Sequence, residues 1–377
     1  MTAPGNVWAV IAGGGTSGHV HPALAIAHEL VNRGRDKSEI HFIGSSRGLE
    51  AELVPEHGFE LTALPGRGIQ RAINLQNVKS AFELGSAGLQ ALNVLRKLRP
   101  AVVVSVGGYA SLPALAAAAM LRIPTVVTEQ NSVPGAANRF GARWAKACAV
   151  AFANTDLPKT VHTGNPLLGP ILDVDRATQG PAAKARLGVE PHRRLVVVFG
   201  GSLGARRINQ AVVDATGTQA SSHTLIQRSD LAIRHIIGDR DWPLFGEHSV
   251  DGPLHYQAVR YERAMFDVYA AADLIVCRAG ATSVAEIAQT GAPSVLVPLP
   301  GAPGDHQTKN AQALSDHDAA LLVPDDQIDG PKLIELISDL VDAADRLAQI
   351  SANAVAQARP DAAAAIADLV ETHASEQ

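Results

Sequence analysis

Val10-Ile11-Ala12-Gly13-Gly14-Gly15-Thr16-Ser17-Gly18-His19 and Val196-Val197-Val198-Phe199-Gly200-Gly201-Ser202-Leu203-Gly204-Ala205-Arg206 decide the fold of this chain. Each runs from an apolar segment through a glycine-rich turn into a helical pattern. Strand, tight turn and helix N-terminus is the local geometry that binds anions, because the first helical N–H groups have no partner within the helix. Two such units, far apart in the chain, predict two nucleotide-binding-type α/β domains facing one cleft. Neither turn has the G-x-x-x-x-G-K-S/T spacing of an ATPase phosphate loop. The first loop superficially suits a dinucleotide, but no clear ribose-binding acid follows the second strand.

At 377 residues the chain is long for one core, and its 46% hydrophobic content is enough for two. The formal net charge of −5 does not suit a polyanion binder, so nucleic acid is not an expected partner and any basic surface must be local. Cys148 and Cys277 are the two cysteines, without a C-x-x-C pair, so neither a disulfide framework nor a zinc ribbon is expected. That usage suits a reducing cytoplasm. The start of the sequence lacks a basic segment leading into an apolar core, so no signal peptide is expected. The most apolar stretch, Ala110 to Leu121, contains Pro113 and is shorter than the about 20 residues a spanning helix needs. A soluble or peripheral protein is the expectation.

Apolar runs alternate with helical stretches throughout. Strands are predicted at Val7–Ile11, Ile40–Gly44, Leu61–Ala63, Val102–Val106 and Thr125–Thr128, then at Leu195–Phe199, Thr224–Gln227, Leu274–Cys277 and Ser294–Val297. Helices are predicted at Pro22–Asn32, Leu49–Glu56, Leu75–Leu98 and Leu112–Leu121, with later ones starting near Arg207, Ala264, Thr282 and Thr308. Continuous apolar strands between helices argue for parallel sheets covered on both faces. The predicted organisation is an N-terminal domain over 1–165, a Pro-, Gly- and Asp-rich linker over 166–193, a C-terminal domain over 194–345, and a helical tail over 346–377 that packs back on the first domain.

Several motifs carry chemistry. In Gly13-Gly14-Gly15-Thr16-Ser17-Gly18-His19 the glycines let backbone approach a ligand, and His19 beside an open helix N-terminus is placed for proton transfer. The bland reading is a packing turn. His21 makes a metal pair conceivable, below the acid–base reading. Gly107-Gly108-Tyr109 and Thr128-Glu129-Gln130-Asn131 would place polar groups at neighbouring strand ends, forming one rim with the first loop. In the second half, the hydroxyl of Ser202 and the cation of Arg206 suit a diphosphate. Glu286, one turn into the helix after Arg278-Ala279-Gly280-Ala281, either complements the helix dipole or accepts hydrogen bonds from a sugar diol. Gly304 to Asn310 offers amides and hydroxyls at another strand end. Asp173-x-Asp175 mimics a metal-binding aspartate pair but falls in the predicted linker and reads as solvated. His28-Glu29 lacks the second histidine of a zinc protease.

Seven motifs occur in register: Gly14-Gly15-Thr16-Ser17-Gly18-His19, Gly107-Gly108-Tyr109, Glu129-Gln130-Asn131, Gly164-Asn165-Pro166, Gly200 to Arg206, Arg278 to Ala281, and Asp305-His306-Gln307. With them the chain closely resembles the MurG family of peptidoglycan N-acetylglucosaminyltransferases over nearly its whole length. The resemblance implies a GT-B fold, two Rossmann-like doubly wound parallel-sheet domains facing a cleft. It implies an inverting transfer without a metal or other cofactor. The implied donor is UDP-N-acetylglucosamine (UDP-GlcNAc) and the implied acceptor is lipid I, the undecaprenyl-pyrophosphoryl-MurNAc-pentapeptide. By position, Thr16, Ser17 and Gly18 would line the donor-sugar side, Asn131 would contact the GlcNAc, and Ser202 the diphosphate. Ala281, Thr282, Ser283, Val284, Ala285 and Glu286 would cradle phosphates and ribose, Gln307 would hold the sugar, and backbone near Tyr261 and Glu262 would meet the uracil. Three positions depart from the family pattern. Leu168 stands where an arginine usually faces the phosphates, with Arg206 or Arg278 as replacement cations; Glu262 replaces an aliphatic residue; and Thr128 replaces a histidine.

The implied reaction is direct displacement at the anomeric carbon, with His19 first and Glu129 second as candidate general bases and helix N-termini stabilising the leaving group. A lipid acceptor requires contact with an anionic membrane surface on the cytoplasmic face. Arg67, Arg71, Ile73, Leu75 and Phe82 mix cations with apolar groups, and Arg139, Arg143 and Lys146 add to the charge. An ordinary amphipathic helix on its own sheet explains the same stretch equally well. Three other readings stay open: a UDP-GlcNAc 2-epimerase, a transferase with another acceptor, and a non-catalytic nucleotide-sugar sensor.

Overall fold

The computed structural model describes residues 7–64, 75–201, 204–217 and 223–375, and divides into two compact units. The first comprises 1–168 and 360–377, the second 169–359.

The first unit is built on a seven-stranded sheet. Its strands are β1 (Ala9–Gly13), β2 (Ile40–Ser45), β3 (Glu60–Leu64), β4 (Val102–Gly107), β5 (Thr125–Glu129), β6 (Ala147–Val150) and β7 (Thr160–His162). They run in the order β3-β2-β1-β4-β5-β6-β7 with every pairing parallel. Because side chains alternate along a strand, β1 serves two cores. Ala9 and Ile11 pack with Leu24, Ile26 and Leu30 of the helix Ser17–Asn32, whereas Val10 and Ala12 pack with Ala91 and Leu95 of the helix Leu75–Leu98. A parallel sheet covered on both faces reads as continuous apolar runs, which is why its central strands are legible in the sequence.

The C-terminal helix Ala362–His373 belongs to this unit, with Ile366, Ala367 and Val370 in the same core as Ile11 and Leu24. Arg33 locks it in place. Its guanidinium reaches Glu29 (2.9 Å), Asp368 (2.6 Å), Glu371 (2.9 Å) and the carbonyl of Ala364 (2.9 Å). Asp368 is mostly exposed, so solvent screens much of this network. Arg33→Ala is expected to destabilise the chain by roughly 1 kcal/mol, read as a lower urea midpoint at unchanged m-value.

The second unit has a six-stranded parallel sheet of β8 (Arg194–Phe199), β9 (Leu231–Ile236), β10 (His255–Val259), β11 (Leu274–Cys277), β12 (Ser294–Leu296) and β13 (Leu321–Leu322), ordered β10-β9-β8-β11-β12-β13. Val196 and Val198 pack with Ile208 and Val212 of the helix Arg206–Ala215 and with Leu333, Ile337 and Leu340 of the helix Gly330–Val341. One predicted strand is corrected: within Thr224–Gln227 the chain forms the helix His223–Ile226, and the strand lies later, at β9. The stretch 166–193 carries the helices Gly169–Leu172 and Arg176–Arg186. Asp175 is the N-cap of the latter, its carboxylate accepting from the backbone N–H groups of Ala177 and Thr178, so the aspartate pair has a structural use. None of the described helices is long and apolar enough to cross a membrane.

Candidate functional site

In both sheets the strand order reverses beside the first strand, between β1 and β4 and between β8 and β11. Ligands of open α/β sheets bind outside the carboxyl ends of the strands at such a switch point. Each glycine turn sits at one of those ends.

In the first unit, Gly13, Gly14 and Gly15 all have positive φ (146°, 142° and 96°). A Cβ on Gly13 would overlap the Val106 side chain and the Gly107 carbonyl, and one on Gly14 would overlap the Glu50 carboxylate. Glu50 is 2% exposed and accepts from the N–H groups of Gly15 and Ser45, both at 2.7 Å. It braces the first glycine loop from behind. Glu50 belongs to no recognisable motif; Gly44 and Gly48, which also leave room for this carboxylate, are its one signal in the sequence.

The turn Gly107-Gly108-Tyr109 packs on the same loop. Gly108 has φ of 75°, and a Cβ there would overlap the Gly14 carbonyl and lie 3.4 Å from His19 Nδ1. Gly14, Gly108 and His19 are therefore in contact range, as one rim requires. Thr16 is the N-cap of the helix Ser17–Asn32 but makes no side-chain cap; its Oγ1 lies 3.1 Å from His19 Nδ1. Burial lowers His19 to about 4, so the imidazole is neutral near pH 7. Ser17 Oγ lies 3.2 Å from His21 Nδ1, while Gly18 is half-buried beside them.

Glu129 is 3% exposed and both its oxygens are engaged. Oε1 accepts from the Asn131 N–H at 3.0 Å; Oε2 accepts from the Gly135 N–H at 3.0 Å and from Asn138 Nδ2 at 2.9 Å. Asn138 also donates to the Thr128 carbonyl (2.8 Å) and accepts from Ser105 Oγ (3.1 Å). Asn138 belongs to no motif legible in the sequence. This buried network ties the ends of β4 and β5 together and presents half-buried Asn131 and Tyr109 at the rim. Of the basic and apolar cluster, Arg67, Arg71 and Ile73, together with the side chains of Leu75 and Phe82, lie outside the described residues. Arg139, Arg143 and Lys146 are exposed.

In the second unit, Ser202 lies outside the described residues. Gly201 and Gly204 have φ of 93° and 86°, and a Cβ on Gly204 would overlap the Ile237 carbonyl. Arg206, exposed, opens the helix Arg206–Ala215, whose N-terminus has no side-chain cap. The helix Ala281–Thr290 is also uncapped, so the N–H groups of Ala281, Thr282 and Ser283 have no acceptor within it. Among the described residues Thr282 Oγ1, buried there, has no hydrogen-bond partner. Val284 is buried and Ala285 half-buried. Glu286, one turn in, has its carboxyl pushed up to about 7 by burial, against the hydrogen bond it accepts from the Tyr269 hydroxyl at 2.7 Å. Gln307 Oε1 accepts from the Leu299 N–H at 2.9 Å, leaving its amide nitrogen to donate.

The departures have local explanations. Glu262 accepts from Arg234 Nη2 (2.6 Å) and from the Ala264 N–H (2.9 Å), so its side chain braces the loop while Tyr261 stands 50% exposed beside it. Arg278 is 8% exposed, and its Nη1 donates to Asp325 (2.5 Å) and to the carbonyls of Val297 and Pro298. Arg206 is the exposed alternative. Leu168 packs against the core of the first unit.

Residues 9–150 match the glycosyltransferase family 28 N-terminal domain, and residues 195–366 match the family 28 C-terminal domain. A relative from Nocardioides sp., named UDP-N-acetylglucosamine--N-acetylmuramyl-(pentapeptide) pyrophosphoryl-undecaprenol N-acetylglucosamine transferase, is 41% identical over 361 residues, 96% of each chain. The crystal structure of Acinetobacter baumannii MurG is similar at a TM-score of 0.71 and 28% identity, covering 97% of this chain and 99% of that one. A putative UDP-N-acetylglucosamine 2-epimerase from Listeria monocytogenes shares the fold, at a TM-score of 0.64 and 13% identity over 97% of this chain and 95% of that one.

Proposed function

The chain belongs to the MurG family of family 28 glycosyltransferases, and from that premise we propose that it transfers GlcNAc from UDP-GlcNAc to the 4-hydroxyl of MurNAc in a polyprenyl-pyrophosphoryl-MurNAc-pentapeptide. The observation that carries the donor assignment is the helix Ala281–Thr290. Its uncapped N-terminus offers N–H groups to a diphosphate, and Glu286 one turn further offers a carboxylate to a ribose diol. Arg206 adds the positive charge that Leu168 does not. Asn131, Gln307 and Thr16, Ser17 and Gly18 take the GlcNAc, and backbone at Tyr261 and Glu262 takes the uracil.

In the reaction the acceptor oxygen bonds to the anomeric carbon as the bond from that carbon to the diphosphate oxygen breaks. The configuration inverts and UDP leaves with its charge stabilised by the helix N-termini and Arg206. The hydroxyl proton passes to His19. Nε2 has a lone pair in the tautomer with hydrogen on Nδ1, and Thr16 Oγ1, 3.1 Å from Nδ1, is able to accept that hydrogen. A weakly basic imidazole suffices because the acceptor hydroxyl becomes acidic as its oxygen bonds to carbon. Glu129, with both oxygens engaged by N–H donors, holds the rim and takes no proton.

A lipid-linked acceptor supports peripheral attachment to the cytoplasmic face of the cell membrane, with exposed Arg139, Arg143 and Lys146 toward anionic headgroups. The test is product structure. Incubation with UDP-GlcNAc and a lipid-linked MurNAc-pentapeptide is expected to give a β-1,4-linked disaccharide. Conversion of the donor to its 2-epimer, with no disaccharide, would establish the epimerase reading instead.

A further inference from the structure

Tyr269 lies on the helix Met265–Ala271 and is fully buried. Its ring meets Phe199 edge-on, with centroids 6.5 Å apart. Phenylalanine would fill that volume without a polar atom, and burying a phenolic hydroxyl is unfavourable unless it is hydrogen-bonded. The partner is Glu286 Oε2, at 2.7 Å. The helix bearing Tyr269 is itself fixed from behind. Arg176 donates to the carbonyls of Tyr269 (2.5 Å) and Ala272 (2.6 Å), and Arg186 pairs with Asp267. The hydroxyl therefore meets the carboxylate from a rigid position and occupies one of its two oxygens.

We infer that Tyr269 is a positioning residue for the nucleotide: its hydroxyl fixes Glu286 Oε2 and so presents Oε1 to the ribose diol. The inference rests on the donor assignment above. The titratable groups facing Glu286 are Tyr269 and the Cys277 thiol, both neutral in the working range because burial raises each. The helices Gly169–Leu172, His306–Ser315 and Ala344–Ala356, packed against its helix, add no charged group that shifts it among the described residues. Glu286 is neutral below about 7 and charged above it. A ribose diol donates best to the anion, so affinity for UDP-GlcNAc must rise with pH through that value. Removing the tyrosine hydroxyl leaves burial unopposed and moves the rise to higher pH.

Calorimetric titration of the full chain between pH 5.5 and 8.5 tests this, with UDP-GlcNAc and its 2′,3′-dideoxy counterpart as ligands and the wild type, Tyr269→Phe and Glu286→Gln as proteins. The sugar-linked diphosphate has no ionisation in that range. Tyr269→Phe is expected to bind UDP-GlcNAc about five- to twentyfold more weakly at pH 7.0. Its pH profile should shift upward, and it should lose most of the wild-type preference for the diol-bearing ligand. Glu286→Gln should be weak and flat with pH. If Tyr269→Phe keeps the wild-type profile and preference while Glu286→Gln is weak, the positioning role is overturned and the donor assignment stands. Equal weakening of both ligands by Tyr269→Phe, with an unshifted profile, would reduce the residue to packing and also overturn the role. If Glu286→Gln binds like the wild type, the donor assignment itself fails.

Discussion

Alanine at His19 is expected to lower kcat by about 10²–10⁴-fold, the range for removing a positioned general base, while KM for UDP-GlcNAc moves by less than about threefold. His19 is selected by what surrounds it. It stands in the first turn of the helix that follows the glycine loop, its Nδ1 is held by Thr16, and no Cβ intervenes from Gly108. Glu129, the other candidate, gives both oxygens to backbone and amide donors. The pH dependence has a definite sign. A base lowered to about 4 is neutral, and active, throughout the neutral range, so its contribution to kcat falls only as pH drops toward 4. Rapid-quench turnover of the wild type and of His19→Ala, from neutral pH down to about pH 4, checks both points. A loss of only a few-fold would remove His19 from the proton transfer.

Glu50→Ala is expected to lower stability by about 2–3 kcal/mol and kcat by at least about tenfold, although Glu50 touches no reacting group. Two N–H donors, of Gly15 and Ser45, lose their acceptor, and a net cost of about 1 kcal/mol or more for each follows from leaving such donors unsatisfied. The loop from Gly14 to His19 also loses the group that sets its path, and displacement of a catalytic group by about 1 Å can cost 10²-fold. Glu50→Gln should recover little, because one of the two N–H groups would then face an amide NH₂. Chemical denaturation and steady-state kinetics on the three proteins check this. A Glu50→Gln variant with wild-type stability and rate would show that the carboxylate does not brace the loop.

The two sheets were legible because their central strands are apolar runs that end in glycine turns. Helices such as Leu75–Leu98 and Leu112–Leu121 followed from the same alternation. β9 is hidden for a tertiary reason: Arg234 and His235 interrupt the apolar run, half-buried Arg234 pairing with Glu262 and buried His235 with Asn209, both remote in sequence. An apolar stretch just before it, in His223–Ile226, drew the strand assignment instead. In the site, the motif residues were visible because glycine at positive φ and histidine at a helix start are local signals. Their supports were not. Glu50 acts on Gly15 from 35 positions away, and Tyr269 reaches Glu286 across 17, so neither has a signature until the chain is folded. The same holds for Arg278, which looks like a phosphate-facing cation in sequence and pairs with Asp325 in the fold.

The most direct measurement is release of UDP from UDP-GlcNAc by the purified protein in EDTA, with and without a soluble analogue of the lipid-linked MurNAc-pentapeptide. Release that depends on the acceptor and proceeds in the chelator is the predicted result. Measurable UDP-GlcNAc binding with no release in the presence of that acceptor would contradict it.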